Sequence, residues 1–183
     1  MQRIFTKRLL LREWQETDYK DLYEYAKSDL VGPNAGWKPH KDEKESKDII
    51  QMFIASKDTY AIELISENKV IGGIGLHDRK PDELLSHLSQ KEIGYVLNPN
   101  YWGNGFVPEA VNGLLKYGFE ELNLDIIWCG HYDFNHNSKR VNEKCGFQYK
   151  FNKKLILERL DGKEVTCLYY CINKTDYEVA SPI

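Results

Sequence analysis

Three stretches of this chain carry residue types whose spacing could do chemistry: Asn98 to Ala110, Glu92, and Asn135 to Ser138. The first reads Asn98-Pro99-Asn100-Tyr101-Trp102-Gly103-Asn104-Gly105-Phe106-Val107-Pro108-Glu109-Ala110, running from a strand end through two glycines into a helix start marked by Pro108. Glycines let successive backbone amides converge on one point, and the first-turn amides of the following helix add partial positive charge. Such a turn suits an anion, with pyrophosphate a natural ligand. Because proline has no N–H, the amides of Gly103 to Val107 would do the binding. No Gly-x-x-x-x-Gly-Lys-Ser/Thr run exists, and Pro108 stands where a dinucleotide fingerprint needs its third glycine. A lone Gly-x-Gly is more often a plain tight turn, so its surroundings must decide.

Glu92 lies two residues before Gly94 on the strand-like run that leads into this turn. A carboxylate there could accept a proton, directly or through water, or could be an ordinary exposed strand residue. His77, Asp78 and His131 are alternative bases, although a structural role suits His131 better. Gly94 is compatible with a bulge or a close backbone approach. Asn135 or Asn137 can cap a short helix with Ser138 in its first turn, and a cap of that kind can also touch a ligand.

The elements that must position these residues follow from periodicity. Ile4 to Trp14 is a first strand, and Thr17 or Asp18 caps a helix carrying Leu22, Tyr23, Tyr25 and Ala26. Val31 to Lys41 is a loop by its turn residues, long enough to have a function. Asp42 with Glu45 forms an approximate capping box for a helix bearing Ile49, Ile50, Phe53 and Ile54. Thr59–Ile65 and Val70–Leu76 form a hairpin, and Glu92–Leu97 is a further strand. Val111, Leu114, Leu115, Phe119 and Leu122 fall at helical spacing. Ile126–Tyr132 is a strand, Ser138–Cys145 a short helix ended by Gly146, and two long strands joined at Asp161-Gly162 close the chain. Trp37, His40 and Tyr95 are candidates to shape an acceptor site if the Val31–Lys41 loop folds over the cleft.

Composition excludes several classes. The 183 residues are 42% hydrophobic and 29% charged, the profile of one globular domain spanning 1–183. A net charge of −3, with no block of Lys and Arg, disfavours a nucleic-acid partner. No apolar run reaches the roughly 20 residues of a membrane span, and residues 1–14 are too charged for a signal peptide. The four cysteines sit among bulky apolar residues, as free thiols of a cytoplasmic protein do, and their spacings match no usual zinc site. No metal is expected.

The chain resembles the GNAT superfamily of acyl-CoA N-acetyltransferases, whose phosphate loop follows Gln/Arg-x-x-Gly-x-Gly/Ala. Trp102-x-x-Gly105-x-Val107 occupies those positions, departing from the pattern at Trp102 and Val107. It looks closer to the ribosomal-protein N-terminal acetyltransferase branch, in which Trp-Gly-x-Gly-aromatic followed by Glu-Ala is common, here Trp102 to Phe106 and Glu109-Ala110. Thr6-Lys7-Arg8-Leu9-Leu10-Leu11-Arg12 resembles that branch's first strand, Gly36-Trp37 to His40 its substrate-side loop, and Glu92-Ile93-Gly94-Tyr95 its central strand. Asn135-x-x-Ser138 with Glu143-Lys144-Cys145-Gly146-Phe147 resembles its Asn-x-x-Ser…Glu-Lys-x-Gly-Phe signature.

The resemblance implies an α+β fold in three layers: a mixed, mainly antiparallel twisted sheet of about seven strands, with about four helices. Its central strands would splay to hold acetyl-CoA. It implies a backbone contact from Val96, Leu97 and Asn98 to the pantetheine arm, and phosphate binding by Trp102, Gly103, Asn104, Gly105, Phe106 and Val107. Asn135 would hold the pantetheine amides and Ser138 the sulfur. Many relatives place a Tyr four residues before the Gly-Phe pair, where this chain has Asn142, so Ser138 is the substitute. Glu92 would be the base. The implied reaction is acetyl transfer to a primary amine, a protein N-terminus or a small molecule, by direct attack in a ternary complex. A CoA-binding sensor without catalysis is the alternative, and a monomer or homodimer is expected.

Overall fold

The computed structural model describes residues 1–180. Eight strands form one sheet: β1 (Ile4–Phe5), β2 (Leu9–Arg12), β3 (Thr59–Leu64), β4 (Lys69–His77), β5 (Gln90–Leu97), β6 (Ile126–Tyr132), β7 (Gln148–Leu157) and β8 (Lys163–Asn173). Their spatial order is β1-β2-β3-β4-β5-β6-β8-β7. Every neighbouring pair is antiparallel except β5 with β6. Six α-helices accompany them among the described residues: α1 (Tyr19–Ala26), α2 (Gly32–Ala35), α3 (Glu43–Ser56), α4 (Phe106–Lys116), α5 (His136–Lys144) and α6 (Lys174–Ala180).

The counts exceed the expected seven strands and four helices for local reasons. The run Ile4–Trp14 is not one strand, because the Thr6 hydroxyl accepts from the Leu9 amide at 3.0 Å and turns the chain at Lys7. The supposed loop Val31–Lys41 contains α2, and the chain after β8 forms α6.

Alternation along the sheet divides the interior in two. Ile93, Tyr95 and Leu97 of β5 pack with Val111, Leu114, Leu115 and Phe119 around α4, whereas Val96 packs with Trp14, Leu22 and Ile50 around α1 and α3. The sheet is thus covered on both faces in three layers. Leu122, expected on the buried stripe of α4, is 38% exposed, because the last turn widens over Tyr117–Glu121 and shifts the spacing. Asp42 caps α3 through the Glu45 amide at 2.9 Å, as the capping-box spacing predicts.

Candidate active site

The parallel pair β5–β6 holds together only from Gln90–Ile126 to Ile93–Cys129. Beyond that point β5 stays on β4 while β6 stays on β8, so the two diverge from Gly94 and Gly130 onward. Near the start of the split, the Asn142 side-chain amide donates to the Cys129 carbonyl at 3.5 Å, fastening α5 to β6. Asn142 is fully buried and does not line the cleft.

A cavity of about 510 Å³ occupies the split, lined among others by Tyr95, Val96, Leu97, Trp102, Gly103, Gly105, Phe106, Val107, Asn135 and Ser138. The structure therefore brings two distant sequence segments to one wall each of the same cleft. Asn98, Gly103 and Gly105 set the turn between β5 and α4: Asn98 accepts from the Asn100 amide at 3.1 Å, and both glycines adopt left-handed φ values of 80° and 76°. Gly105 is the N-cap of α4, and no side chain caps that helix. Its first-turn amides accordingly face the cavity without an internal acceptor. Asn104 does not line the cavity: its side-chain amide donates back to the Tyr101 and Trp102 carbonyls.

Two cations, Arg140 and Lys144, line this cavity from α5 although the chain as a whole is acidic. A third, Arg8, reaches the backbone of the glycine turn beside it. The Arg8 guanidinium donates to the Asn104 carbonyl at 3.1 Å and lies 4.3 Å over the Phe106 ring. Sequence reasoning missed Arg8 as a site residue. The signal was present, since Arg8 and Glu109 belong to the two motif-bearing segments, but nothing in one dimension pairs them.

Backbone directions correct the expected pantetheine contact. The Asn98 amide donates to Ile71 of β4 at 2.8 Å, so by alternation the polar groups of Val96 and Asn98 point away from the split. Those of Tyr95 and Leu97 point into it, and the Leu97 carbonyl already accepts from the Trp102 indole at 2.9 Å. The open groups are the Tyr95 N–H and C=O and the Leu97 N–H. The Asn98 side chain is turned to Glu24 at 2.8 Å.

Asn135 caps α5 through the Ser138 amide at 3.1 Å, and its own amide donates to the Asn34 carbonyl at 3.2 Å. It thereby ties the α2 loop to the cleft, with Ser138 one turn into α5. Tyr95 meets Ser138 there, its hydroxyl 3.5 Å from the Ser138 carbonyl. Tyr95 thus belongs with the α4–α5 side, not with Glu92 as an acceptor-shaping residue. Trp37 and His40 also lie elsewhere. His40 is buried against Ser46 of α3 at 2.8 Å, and the Trp37 ring packs tilted against His40 at 5.2 Å between centroids, so the pair anchors the loop.

Glu92 lies on the opposite sheet face from Tyr95, at the level where the split begins. It is 8% exposed, and burial raises its pKa against the lowering influence of Arg79, His77 and the Gly130 amide. Arg79 approaches it at 3.6 Å. His131 points to the other face, stacked on Tyr170 at 5.3 Å with its pKa lowered by burial, while Asp78 pairs with Lys91 at 3.4 Å. All four cysteines are free; among the described residues no group of three or more His, Cys, Asp and Glu gathers as metal ligands, and no helix is long and apolar enough to cross a membrane.

A sheet with one parallel pair parted around a glycine-led helix start is the architecture of an acyl-group transferase of the GNAT type. The family description Acetyltransferase (GNAT) domain matches residues 8–148, and the chain belongs to this family and is an acyltransferase. Over 182 residues it is 28% identical to Uncharacterized N-acetyltransferase p20 of Bacillus licheniformis, covering 97% of this chain and 99% of that protein. The crystal structure of an acetyltransferase (GNAT family) from Bacillus anthracis superposes with a TM-score of 0.82 at 26% identity, covering 95% of this chain and 99% of that one. Ribosomal-protein-S5-alanine acetyltransferase from Vibrio fischeri shares the fold, with a TM-score of 0.71 at 18% identity over 97% of this chain and 99% of that one.

Proposed function

We propose that this protein transfers the acetyl group of acetyl-CoA to a primary amine, either an N-terminal α-amine or a small-molecule amine, within a ternary complex. The observation that carries this reading is the divergence of β5 from β6 beyond Ile93 and Cys129, directly against the uncapped start of α4. The residues fit the ligand. The Gly103–Val107 amides and Arg8 suit the pyrophosphate, Arg140 and Lys144 add positive potential, and the open groups of Tyr95 and Leu97 suit the amide-bearing arm. Ser138, beside Tyr95 on the same wall, hydrogen-bonds the departing sulfur in this reading.

Glu92 supplies the proton acceptor from the opposite face of the sheet. A lysine-like amine with a pKa near 10.4 is only about 0.04% neutral at pH 7, against roughly one-tenth for an α-amine near 8, so a base matters most for the former. Direct attack is favoured over a cysteine-bound intermediate, because burial holds the Cys145 and Cys167 thiols up at about 11.

The test is thiol release from acetyl-CoA with a panel of alanyl and seryl peptides, polyamines, amino acids and aminoglycosides. Release matched mole for mole by an N-acetyl product supports the reading. Tight CoA binding with no release across the panel favours a sensor.

A further inference from the structure

Three glycines line up on one face of adjacent strands where the sheet opens. Gly75 of β4 is the register partner of Gly94 of β5, and Gly130 of β6 lies two residues beyond Trp128, the partner of Glu92. Two titratable side chains cover this bare floor. A Cβ on Gly75 would collide with His77 Nε2 and one on Gly94 would meet it at 3.4 Å, whereas a Cβ on Gly130 would lie 3.0 Å from a Glu92 carboxylate oxygen. The imidazole and the carboxylate therefore flank the opening, and side chains at these three positions would crowd them out.

His77 is also held in one orientation. Its Nδ1 is 2.9 Å from Asp58, whose carboxylate accepts from the Ser56 hydroxyl at 2.7 Å and the Thr59 hydroxyl at 2.9 Å as well. Burial alone would raise the Asp58 pKa, but these hydrogen bonds outweigh it and bring it down to about 2, so Asp58 is a fixed acceptor. A carboxylate can only accept, which places the proton of a neutral His77 on Nδ1 and leaves the Nε2 lone pair over Gly94. No other hydrogen bond engages Nε2 among the described residues.

Resting on the acetyl-transfer reading above, we infer that the Asp58–His77 pair is a second proton acceptor of the site, dividing the work with Glu92. An arriving ammonium must lose one proton to free its lone pair. After the nitrogen attacks the thioester carbon, the C–N bond forms, the C–S bond breaks, and the nitrogen loses a second proton to become an amide. The thiolate gains one proton, so one is released to solvent overall. His77 has a fifth of its side chain exposed and Glu92 about a tenth, at 21% and 11%. His77 Nε2 thus takes the first proton and passes it outward, and Glu92 takes the second. Asp58 acts as a positioning residue. The charged groups facing His77 are Asp58 from the α3–β3 connection, Glu92 across the β4–β5 pair, and Arg79 just beyond β4.

The experiment compares His77→Asn, which keeps a donor toward Asp58 but removes Nε2, with wild type on a lysine-side-chain amine and a peptide α-amine. At pH 7 kcat/KM should fall roughly 100-fold for the former and less than about 10-fold for the latter, with CoA affinity unchanged. The deficit on the lysine amine should shrink toward pH 10, where that amine is neutral without help. Asp58→Asn should lose about 10-fold on the lysine amine with the same selectivity. Equal losses on both amines, or none, would overturn the inference. Nitrogen-15 NMR of the imidazole decides independently of any acceptor: the neutral form should carry its proton on Nδ1, toward Asp58, and an Nε2–H tautomer would overturn the pair even if no amine were turned over. Absence of turnover in wild type would instead count against the transfer reading.

Discussion

The Glu109 carboxylate, in the first turn of α4, grips Arg8 by both backbone and side chain, at 2.7 Å to the amide and 2.7 Å to the guanidinium. It also accepts from the Thr6 hydroxyl at 2.6 Å. One acidic residue thus ties the β1–β2 turn to the helix that begins the phosphate cradle, and it delivers Arg8 to the glycines. The Glu-Ala pair after the glycine turn and the basic run before β2 are two halves of one contact.

Replacing Glu109 should loosen this joint. Burial opposes ionisation of Glu109, but hydrogen bonds from Thr6 and Arg8 outweigh it and lower its pKa, so its contribution is present above the ordinary carboxylate pKa and is lost as pH falls through the depressed value. Glu109→Ala should cost about 2–3 kcal/mol at pH 7, or roughly 4–12 °C in Tm. The deficit should narrow in melts taken below about pH 4.

Arg8→Gln separates charge from scaffold. Losing one charge-assisted contact of about 1.5–3 kcal/mol should raise KM for acetyl-CoA roughly 10- to 100-fold. Saturating kcat should change little, and the effect should shrink at high salt because Arg8 is partly exposed. An unchanged KM would remove Arg8 from the cradle.

Glu92 was visible in the sequence only as a carboxylate on the right strand. Whether it was an exposed strand residue or a buried one at the sheet's opening depended on which strand stood beside β5, a long-range fact. Likewise the face of Tyr95 follows from strand alternation once β5 is known to be covered on both sides, and a continuous mixed run such as Ile93–Leu97 does not announce that. The glycine turn, the α4 start and the Asn135 cap were legible because their signals are local: left-handed φ, Pro108, and a side-chain oxygen three residues from the amide that donates to it. Trp37 and His40 looked like substrate residues from their place in a turn-rich segment. They anchor it instead, because α2 and the contact with Ser46 turn them inward.

Glu92→Gln tests function and stability together. Activity on amines should fall about 100- to 10,000-fold. Burial raises the Glu92 pKa above its unfolded value, so its ionised form costs stability at neutral pH and that cost fades as pH falls. The variant should therefore melt higher than wild type at pH 8, with the gap closing toward pH 4. A lower Tm at pH 8 would mean that Glu92 is held chiefly by Arg79.

Ser138→Ala leaves the Asn135 cap intact, since that bond uses the backbone amide. Its Tm should stay within about 1 °C of wild type, while kcat falls roughly 10-fold through loss of one hydrogen bond to the sulfur. Asn135→Ala should cost about 1 kcal/mol of stability through the cap.

The most direct test of a CoA cleft at the β5–β6 split is calorimetric titration of CoA into wild type and Gly105→Asp. Aspartate tolerates the left-handed backbone better than most residues, so the fold should survive, while its carboxylate meets the pyrophosphate at the start of α4. Wild type should bind one CoA per chain, and the variant should lose at least about 100-fold in affinity, roughly 2.7 kcal/mol. Equal affinities would contradict it.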